Sequence, residues 1–374
     1  MLVGDVNGAT AADADRVGLT YISDEEPGIR RVLRGKGFAY INAKGRAIRD
    51  PETRQRIKRL AVPPAWTEVW ISSNPNGHVQ ATGRDARGRK QYRYHPDFIK
   101  ARDGTKYERI LDFAHALPLI RQRVAKDMGQ RGLPWEKVVA TVVHLLDSTL
   151  IRVGNADYAR QNGSFGLTTL RDRHVAVEGG ALRFEFKGKS GKTWRLKLSD
   201  RRAARIVKSC QDIPGQHLFQ FIDEDGTRRH VDSTDVNRWL REVSGRDITA
   251  KDFRTWAGTV LAAMALGEFA AFDTAVTAKA NVREAIERVA RRLGNTPTIC
   301  RKCYVHPEVL GSYLDGALAL EVERRAETEL RSNLSRLKPE EVAVLAFLKK
   351  RLRRGRTRPV TRRPSVPEAL ARAA

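Results

Sequence analysis

Two kinds of hydrophobic pattern divide the chain. Apolar and polar residues alternate at 67–71, 78–83 and 88–94, and the segment 72–77 between the first two is rich in Ser, Asn, Pro and Gly. Such alternation, broken by turn residues, is typical of half-buried β-strands. Beyond 97–106, apolar residues instead recur every three to four positions, as on one face of a helix. The change predicts a β-rich N-terminal domain followed by a mostly helical one.

Within the second region, the stretches 107–128 and 134–152 both have helical spacing. One face of the latter carries a run of aliphatic residues: Val139, Val142, Val143, Leu146, Leu150 and Val153. Three short alternating stretches at 174–177, 182–186 and 193–198, joined by glycine-containing turns, predict a small antiparallel sheet. Helical patterns return after Ser199, run to Leu293, and resume beyond Tyr304 through Phe347.

We therefore predict an α+β fold, with a β-rich N-terminal lobe and a mostly helical lobe that contains one small antiparallel sheet. The predicted limits are a disordered acidic start at 1–18, an N-terminal domain at 19–100, a second domain at 101–347 and a flexible basic tail at 348–374. The basic residues of the tail include Lys349, Lys350, Arg351, Arg353, Arg354, Arg356, Arg358, Arg362 and Arg363.

The charge balance narrows the choice of partners. Lys and Arg number 69 against 44 Asp and Glu, which gives a net charge of +25. Such an excess favours a polyanion, nucleic acid first and an anionic membrane surface second. The longest apolar run, 260–272, is interrupted by Glu268 and is too short to span a bilayer. The three cysteines argue against a disulfide framework. We expect a cytoplasmic, nucleoid-associated protein without a membrane partner.

The segment 293–307 places one tyrosine among cations. Gly294 ends a helix whose apolar residues share one face, and Tyr304 then follows Arg301 and Lys302 and precedes His306. A phenol becomes a useful nucleophile when cations stabilise its oxyanion. The alternative is a buried tyrosine in a basic loop, and the segment alone favours that alternative.

Two motifs in the chain suggest other chemistry only weakly. Cys300 and Cys303 form a C-x-x-C pair, but a structural zinc needs two further ligands and only His306 is near. Small apolar packing beside Tyr304 is the favoured interpretation. The segment 188–193 resembles a P-loop, yet Phe186 stands where the first glycine is required and a strand pattern follows. What remains is Lys189 on a β-turn, free to reach a phosphate.

Three further basic or polar features have both a structural and a functional interpretation. Arg152 at the end of an apolar helix either pairs with Asp147 or faces a bound anion. Lys251 and Arg254, three residues apart, are either solvated or bind phosphate. The strand at 88–94 presents Gln91, Tyr92, Arg93 and Tyr94 and is either an ordinary edge strand or one that lies in a DNA groove, where Gln91 would contact adenine.

Taken in order, these residues resemble a known active site. The ordered set consists of Arg152 in Leu-Ile-Arg-Val-Gly-Asn, Lys189 in Phe-x-Gly-Lys, Arg254 in Lys-x-x-Arg-Thr-Trp, and then Asn295 and Tyr304 nine residues apart. This set resembles the active-site residues of the type IB DNA topoisomerases. The likeness is to the small bacterial enzymes similar to the poxvirus one. Gly-Arg-x-Gln-Tyr at 88–92 resembles the groove-binding strand of their N-terminal domain, and the resemblance spans about residues 20–310.

The resemblance implies a reaction and a role for each residue. Tyr304 would attack a phosphodiester of supercoiled duplex DNA and form a 3′-phosphotyrosyl link, so that the free strand swivels before religation. Arg152, Arg254 and Asn295 would stabilise the charge on the phosphate, and Lys189 would protonate the leaving 5′ oxygen. Gln91, Tyr92, Tyr94 and Lys251 would bind DNA. Many relatives carry histidine where this chain has Asn295, and an amide makes proton transfer there unlikely. Neither metal nor ATP nor another cofactor is implied.

Two other classes of protein remain as alternatives. A tyrosine site-specific recombinase uses the same order of residue types, but it typically carries histidine where this chain has Lys251, and its N-terminal domain is helical. A non-catalytic architectural DNA-binding protein explains the charge but not the ordered set. The topoisomerase interpretation implies a monomeric clamp around duplex DNA.

Overall fold

The computed structural model describes residues 11–35, 37–86, 88–269, 272, 274–318 and 336–357. The chain divides into two compact units, residues 1–108 and 109–374. The first unit is built on a sheet and the second mostly on helices, so the fold is α+β as predicted. None of the helices in the described ranges is both long enough and apolar enough to cross a membrane.

The first unit is organised around a five-stranded antiparallel sheet in the order β2-β1-β3-β4-β5. Its strands are β1 (Ile29–Arg34), β2 (Gly37–Ile41), β3 (Thr67–Ile71), β4 (Val79–Arg84) and β5 (Lys90–Tyr94). The last three lie where the alternating pattern predicts strands. The first two were not predicted, because consecutive arginines and glycines hide their alternation. Helix α2 (Pro51–Arg59) is capped by the Asp50 side chain, which accepts from the amide of Thr53.

Two small apolar clusters hold this unit together. Ile57 of α2 packs with Ile29, Val69, Ile71 and Ala81 of the sheet. The second cluster joins Ala14, Leu19 and Phe98. Ala14 belongs to a short helix, α1 (Ala11–Asp15), and it is fully buried. The predicted disordered start therefore contains an ordered part, because small alanine side chains fit against Phe98. Residues 1–10 lie outside the described residues.

The second unit combines helices with two small antiparallel sheets. The helices are α3 (Pro96–Asp127), which contains the boundary between the units, α4 (Trp135–Thr149), α5 (Ala156–Asn162), α6 (Arg201–Gln211), α7 (Ser233–Ser244), α8 (Ala250–Gly267), α9 (Ala275–Leu293), α10 (Pro297–Cys303), α11 (Pro307–Leu314) and α12 (Pro339–Thr357). The predicted three-stranded sheet consists of β6 (Val175–Glu178), β7 (Ala181–Lys187) and β8 (Thr193–Ser199), and the pair β9 (Gln220–Ile222) and β10 (Arg228–His230) adds a ribbon.

Helix α12 corrects the predicted start of the flexible tail. The helix continues to Thr357, ten residues past the Phe347 at which the helical pattern was expected to end. Lys and Arg are good helix formers, and Arg351 is paired with Glu308 at 3.3 Å and with Asp315 at 3.7 Å. The first part of the basic segment is therefore helical. Arg358, Arg362 and Arg363 lie outside the described residues.

Candidate active site

Arg254 lies on α8, one turn after a capping box in which Thr249 and Asp252 satisfy each other's backbone amides. The side chain is only 3% exposed. Its two terminal nitrogens donate to backbone carbonyls at the ends of two other helices, the carbonyl of Leu150 and, at 2.6 Å, that of Leu293. Helix C-termini carry partial negative charge, so they hold the buried guanidinium in a fixed orientation.

Arg152 and Asn295 meet beside this group. The backbone of Leu150 is left-handed (φ 60°) and turns the chain out of α4, and Gly294 (φ 61°) ends α9 directly before Asn295. The Arg152 guanidinium donates to the Asn295 side-chain oxygen. The alternative prediction, that Arg152 pairs with Asp147, is wrong. The Asp147 carboxylate instead accepts hydrogen bonds from Arg121 at 2.8 and 3.1 Å.

Tyr304 ends α10, a short helix that starts at Pro297 behind the Thr296 cap. Its backbone rests against α8, where the Thr259 hydroxyl lies 3.3 Å from the Tyr304 carbonyl oxygen. A Cβ atom on Gly258 would lie 2.7 Å from that oxygen, so glycine is what permits this approach. The Arg254 guanidinium carbon lies 5.2 Å from the centre of the half-buried Tyr304 ring.

The site holds strong hydrogen-bond donors that lack acceptors. Within the described residues, the Nε of Arg254 and the side-chain nitrogen of Asn295 are buried without a partner. Burial, followed by the nearby charge of Arg152, lowers the pKa of Arg254 to about 10, and burial also lowers the pKa of Arg152. Both guanidinium groups stay protonated near neutral pH, and a bound anion would stabilise them and satisfy the unpaired donors. A phosphodiester has the charge and the oxygen acceptors that this arrangement requires.

Lys189 lies on the turn between β7 and β8. Ser190 (φ 64°) and Gly191 (φ 73°) give this turn a left-handed backbone, and the exposed Lys189 amine stands 5.9 Å from the centre of the Tyr158 ring. The amine that contacts Asn295 is that of Lys192, which donates to the Asn295 backbone oxygen at 3.2 Å. The structure therefore places a second lysine at the site, which sequence reasoning missed although Lys192 belongs to the same turn motif.

Trp194, on β8, is a further residue that the sequence did not single out. A Cβ atom on Gly188 would lie 2.6 Å from its indole, and one on Gly294 would lie 2.8 Å from it. Trp194 thus packs against the glycine before Lys189 and the glycine before Asn295. The turn that carries both lysines is held against the Asn295 loop by this packing and by the Lys192 hydrogen bond.

The proposed DNA-binding residues do not all present free polar groups. The Gln91 amide donates to the Asp85 carboxylate at 3.0 Å, and Tyr92 stacks on Tyr94 with ring centres 5.9 Å apart. Tyr94 also packs on Phe98, so part of its role is structural. In the second unit, Lys251 is exposed on the first turn of α8.

Cys300 of the C-x-x-C pair belongs to the apolar cluster against which Tyr304 packs. Cys300 is fully buried, and burial raises the pKa of its thiol to about 11. A thiol in that state is a weak nucleophile and a weak metal ligand. Among the residues that the structure describes, no group of three or more His, Cys, Asp or Glu side chains is arranged to hold a metal ion.

The close approach at Gly258 leads to a testable prediction. In the Gly258→Ala variant, the new methyl group must displace the Tyr304 backbone from α8. Displacements of about 1 Å at a reacting group reduce rates by roughly 10²-fold. We expect a fall of that order in single-turnover DNA cleavage, with DNA affinity little changed.

Gly267→Ala is the matched control, because a Cβ atom at this other glycine of α8 meets nothing within 4 Å. This variant should cleave at the wild-type rate and be as stable as the wild type or slightly more so. Equal rates for the two alanine variants would show that Gly258 does not position Tyr304.

Comparisons with known proteins agree with this geometry. A family model described as the catalytic core of eukaryotic DNA topoisomerase I matches residues 95–330, and one for the N-terminal domain of bacterial DNA topoisomerase IB matches residues 37–85. DNA topoisomerase 1B of Acanthamoeba polyphaga mimivirus is 34% identical over 295 residues, which cover 76% of this chain and 87% of that protein. DNA topoisomerase 1B of Vaccinia virus (strain Copenhagen) is 20% identical over 284 residues, 74% of this chain and 87% of the viral one. The chain therefore belongs to the type IB DNA topoisomerases, the family whose active site its ordered residues resemble.

Proposed function

We propose that Arg152, Lys189, Arg254, Asn295 and Tyr304 carry out the strand cleavage and religation by which this type IB topoisomerase relaxes duplex DNA. The observation that carries the proposal is the convergence of two guanidinium groups and one amide beside the Tyr304 ring, with unpaired buried donors at Arg254 and Asn295. Such a site suits the transfer of a phosphoryl group to a tyrosine oxygen.

The reaction exchanges one phosphate ester for another. The Tyr304 oxygen bonds to phosphorus, the bond from phosphorus to the 5′ oxygen breaks, and a 3′-phosphotyrosyl link results. Arg152 and Arg254 stabilise the additional charge on the non-bridging oxygens with forked donors, and the Asn295 amide donates to the same phosphate. The phenolic proton leaves to water, and the 5′ oxygen takes a proton from Lys189. Because the ester energy is retained, religation is the reverse reaction and needs no nucleotide.

Lys189 requires a movement before it acts as the acid. Its amine rests near the Tyr158 ring, whereas Lys192 contacts the Asn295 loop. The left-handed turn at Ser190 and Gly191 carries both amines, so bound DNA is the expected cause of a rearrangement that brings Lys189 to the 5′ oxygen. Lys192 is therefore a second candidate for the acid that protonates the 5′ oxygen, and the experiments must distinguish the two lysines.

The remaining residues are proposed to hold the duplex. Gln91, Tyr92 and Tyr94 on β5 would lie in a groove, where Gln91 would exchange its Asp85 partner for a base edge. Lys251 would bind a phosphate near the cleaved one. The proposal assigns residues 19–100 to a β-rich DNA-binding domain and residues 101–347 to the catalytic domain. A monomeric clamp on supercoiled DNA, located in the cytoplasm at the nucleoid, completes the proposal.

Relaxation of supercoiled plasmid tests the function. We expect the full chain to relax both positive and negative supercoils in EDTA without ATP, with each plasmid passing through intermediate topoisomers. A tyrosine recombinase would instead join specific sites, and an architectural protein would shift mobility without changing linking number after deproteinisation. Either of those results would exclude the proposed function.

The basic tail should strengthen non-specific binding. Truncation after Thr357 removes Arg358, Arg362, Arg363 and Arg372 but keeps the Arg351 ion pairs of α12. When a protein gives up one ionic interaction with a DNA phosphate, the slope of log affinity against log salt falls by about 0.9. We expect the slope to fall by up to about 3.6 units if all four arginines contact phosphates, with single-turnover cleavage unchanged. An unchanged slope would mean that these four arginines do not contact DNA.

A further inference from the structure

The hairpin of β1 and β2 extends beyond the sheet of the first unit. The ladder between β1 and β3 joins Ile29 to Ile71 and Arg30 to Trp70, whereas β1 and β2 remain paired as far as Arg34 and Gly37. Gly35, with φ 58°, begins the turn at the tip. From Arg31 onward, β1 is thus paired only with β2. We call residues 31–35 and 37–40 the ribbon arm.

The tip of the ribbon arm exposes apolar side chains. Leu33 and Phe38 are directly opposite each other in the register, so they share one face, and they are 75% and 39% exposed. Val32, on the other face, is 36% exposed. Exposed apolar side chains that cluster at a projecting tip are unfavourable in water unless a partner covers them.

Arg31 fixes the base of the arm. Its guanidinium donates to the backbone oxygens of Trp66 at 2.6 Å, Pro63 at 3.1 Å and Val62 at 3.3 Å. The same group lies 4.2 Å from the centre of the Phe38 ring. Tyr40, which is opposite Arg31 in the register, packs against the apolar cluster under the sheet. The apolar tip is therefore held in position before any partner binds.

The charge around the arm identifies the partner. The sequence from Ile29 to Arg49 contains seven Lys and Arg residues and no Asp or Glu. Arg30 and Arg34 lie on the same face as Val32 and are exposed. Some DNA-bending proteins insert apolar side chains between base steps from the minor groove, and arginines on the other face of the same ribbon can reach the phosphates beside it. This uniform positive charge would attract a protein partner only if the surface of that partner were strongly acidic.

The width of the sheet agrees with a second groove contact. The ribbon arm and β5, the strand proposed for the major groove, are at opposite edges of the five-stranded sheet. Four strand spacings amount to about 19 Å. Adjacent grooves on one side of a duplex are separated by about half a helical turn, roughly 17 Å. A sheet whose β5 edge lies in the major groove thus spans the distance to the neighbouring minor groove.

We propose that the ribbon arm enters the minor groove of the bound duplex, with Leu33 and Phe38 wedged against a base step and Arg30 and Arg34 on the flanking phosphates. The inference rests on the proposed binding of β5 to DNA and extends it to a second contact. The arm would thereby add a second groove contact to that of β5 and favour steps that unstack easily, such as TA.

The test compares the full-length wild type with Leu33→Ser/Phe38→Ser. Both side chains are exposed, so the double variant should fold, which circular dichroism verifies. We expect its affinity for a duplex to fall on the order of tenfold, since two apolar side chains are no longer buried against DNA. The slope of log affinity against log salt should stay unchanged. Arg30→Ala/Arg34→Ala should instead lower that slope by about two units. Val276→Ser is the matched control, because Val276 is 78% exposed in the second unit.

Methylation by dimethyl sulfate identifies the groove, because adenine N3 faces the minor groove and guanine N7 the major groove. In covalent complexes trapped on a duplex with a short leaving strand, the wild type and Val276→Ser should protect adenine N3 at one step, and Leu33→Ser/Phe38→Ser should not. Affinities within twofold of the wild type, or protection confined to guanine N7, would overturn the proposal. Failure of the wild type to form any covalent complex would instead refute the proposed function.

Discussion

The Tyr304→Phe variant is expected to bind duplex DNA with nearly wild-type affinity and to cleave it at no measurable rate. Only the hydroxyl oxygen is removed, and the ring keeps its position over Arg254 and its backbone contacts with α8. The phenylalanine side chain has no oxygen that can form a bond to phosphorus. The measurement is the fraction of labelled DNA that remains attached to protein after denaturation.

Tyr313→Phe is the matched control for this prediction. Tyr313 lies on α11, is 5% exposed, and its hydroxyl accepts a hydrogen bond from Asn281 at 2.7 Å. Loss of that bond should lower the free energy of unfolding by about 1 kcal/mol and leave covalent attachment intact. A Tyr304→Phe protein that still attaches to DNA would show that another residue is the nucleophile.

The second large effect separates the proton donor from the groups that stabilise charge. On an ordinary phosphodiester, Lys189→Ala should reduce the cleavage rate by roughly 10²–10⁴-fold, and Arg254→Ala should reduce it by at least roughly 10²-fold. Replacement of the bridging 5′ oxygen by sulfur removes the need for a proton, because a thiolate leaves readily near neutral pH. Lys189→Ala should then cleave almost as fast as the wild type, whereas Arg254→Ala should remain slow.

Lys192→Ala is the decisive comparison in the same experiment. Its amine lies at the Asn295 loop, while that of Lys189 lies near Tyr158. Rescue of Lys192→Ala by sulfur, without rescue of Lys189→Ala, would assign the proton to Lys192. Equal residual defects for all three variants would mean that neither lysine is the acid. Arg254→Lys, which retains a positive charge in the buried position, controls for misfolding of the alanine variant.

Local patterns in the sequence predict much of the fold. The alternation at 67–71 and 193–198 and the helical spacing at 134–152 are strong, and β3, β8 and α4 lie at those places. Of the ordered set, Arg152, Arg254, Asn295 and Tyr304 lie together in the structure, whereas the Lys189 amine lies near Tyr158. Arg254 lies within α8, whereas the others lie at the end of an element or on a turn, where Leu150, Gly191 and Gly294 have a left-handed backbone.

Other features depend on contacts between distant segments, which no local pattern encodes. Asp147 is close to Arg152 in sequence, but it bonds to Arg121 on another helix. The role of Trp194 depends on its contact with Gly294, one hundred residues away. Strand β1 escapes prediction because its consecutive arginines interrupt the alternation, and β2 escapes it because a glycine is followed by four apolar residues without alternation. The same arginines distinguish the ribbon arm from an ordinary hairpin.

Peptide mapping of the covalent complex tests the central claim most directly. Wild-type protein is reacted with a duplex that traps the intermediate, digested with protease and nuclease, and analysed by tandem mass spectrometry. We expect a nucleotide joined through its 3′-phosphate to Tyr304, in the peptide that contains Cys303 and Val305. A nucleotide on any other residue, or a link through a 5′-phosphate, would contradict it.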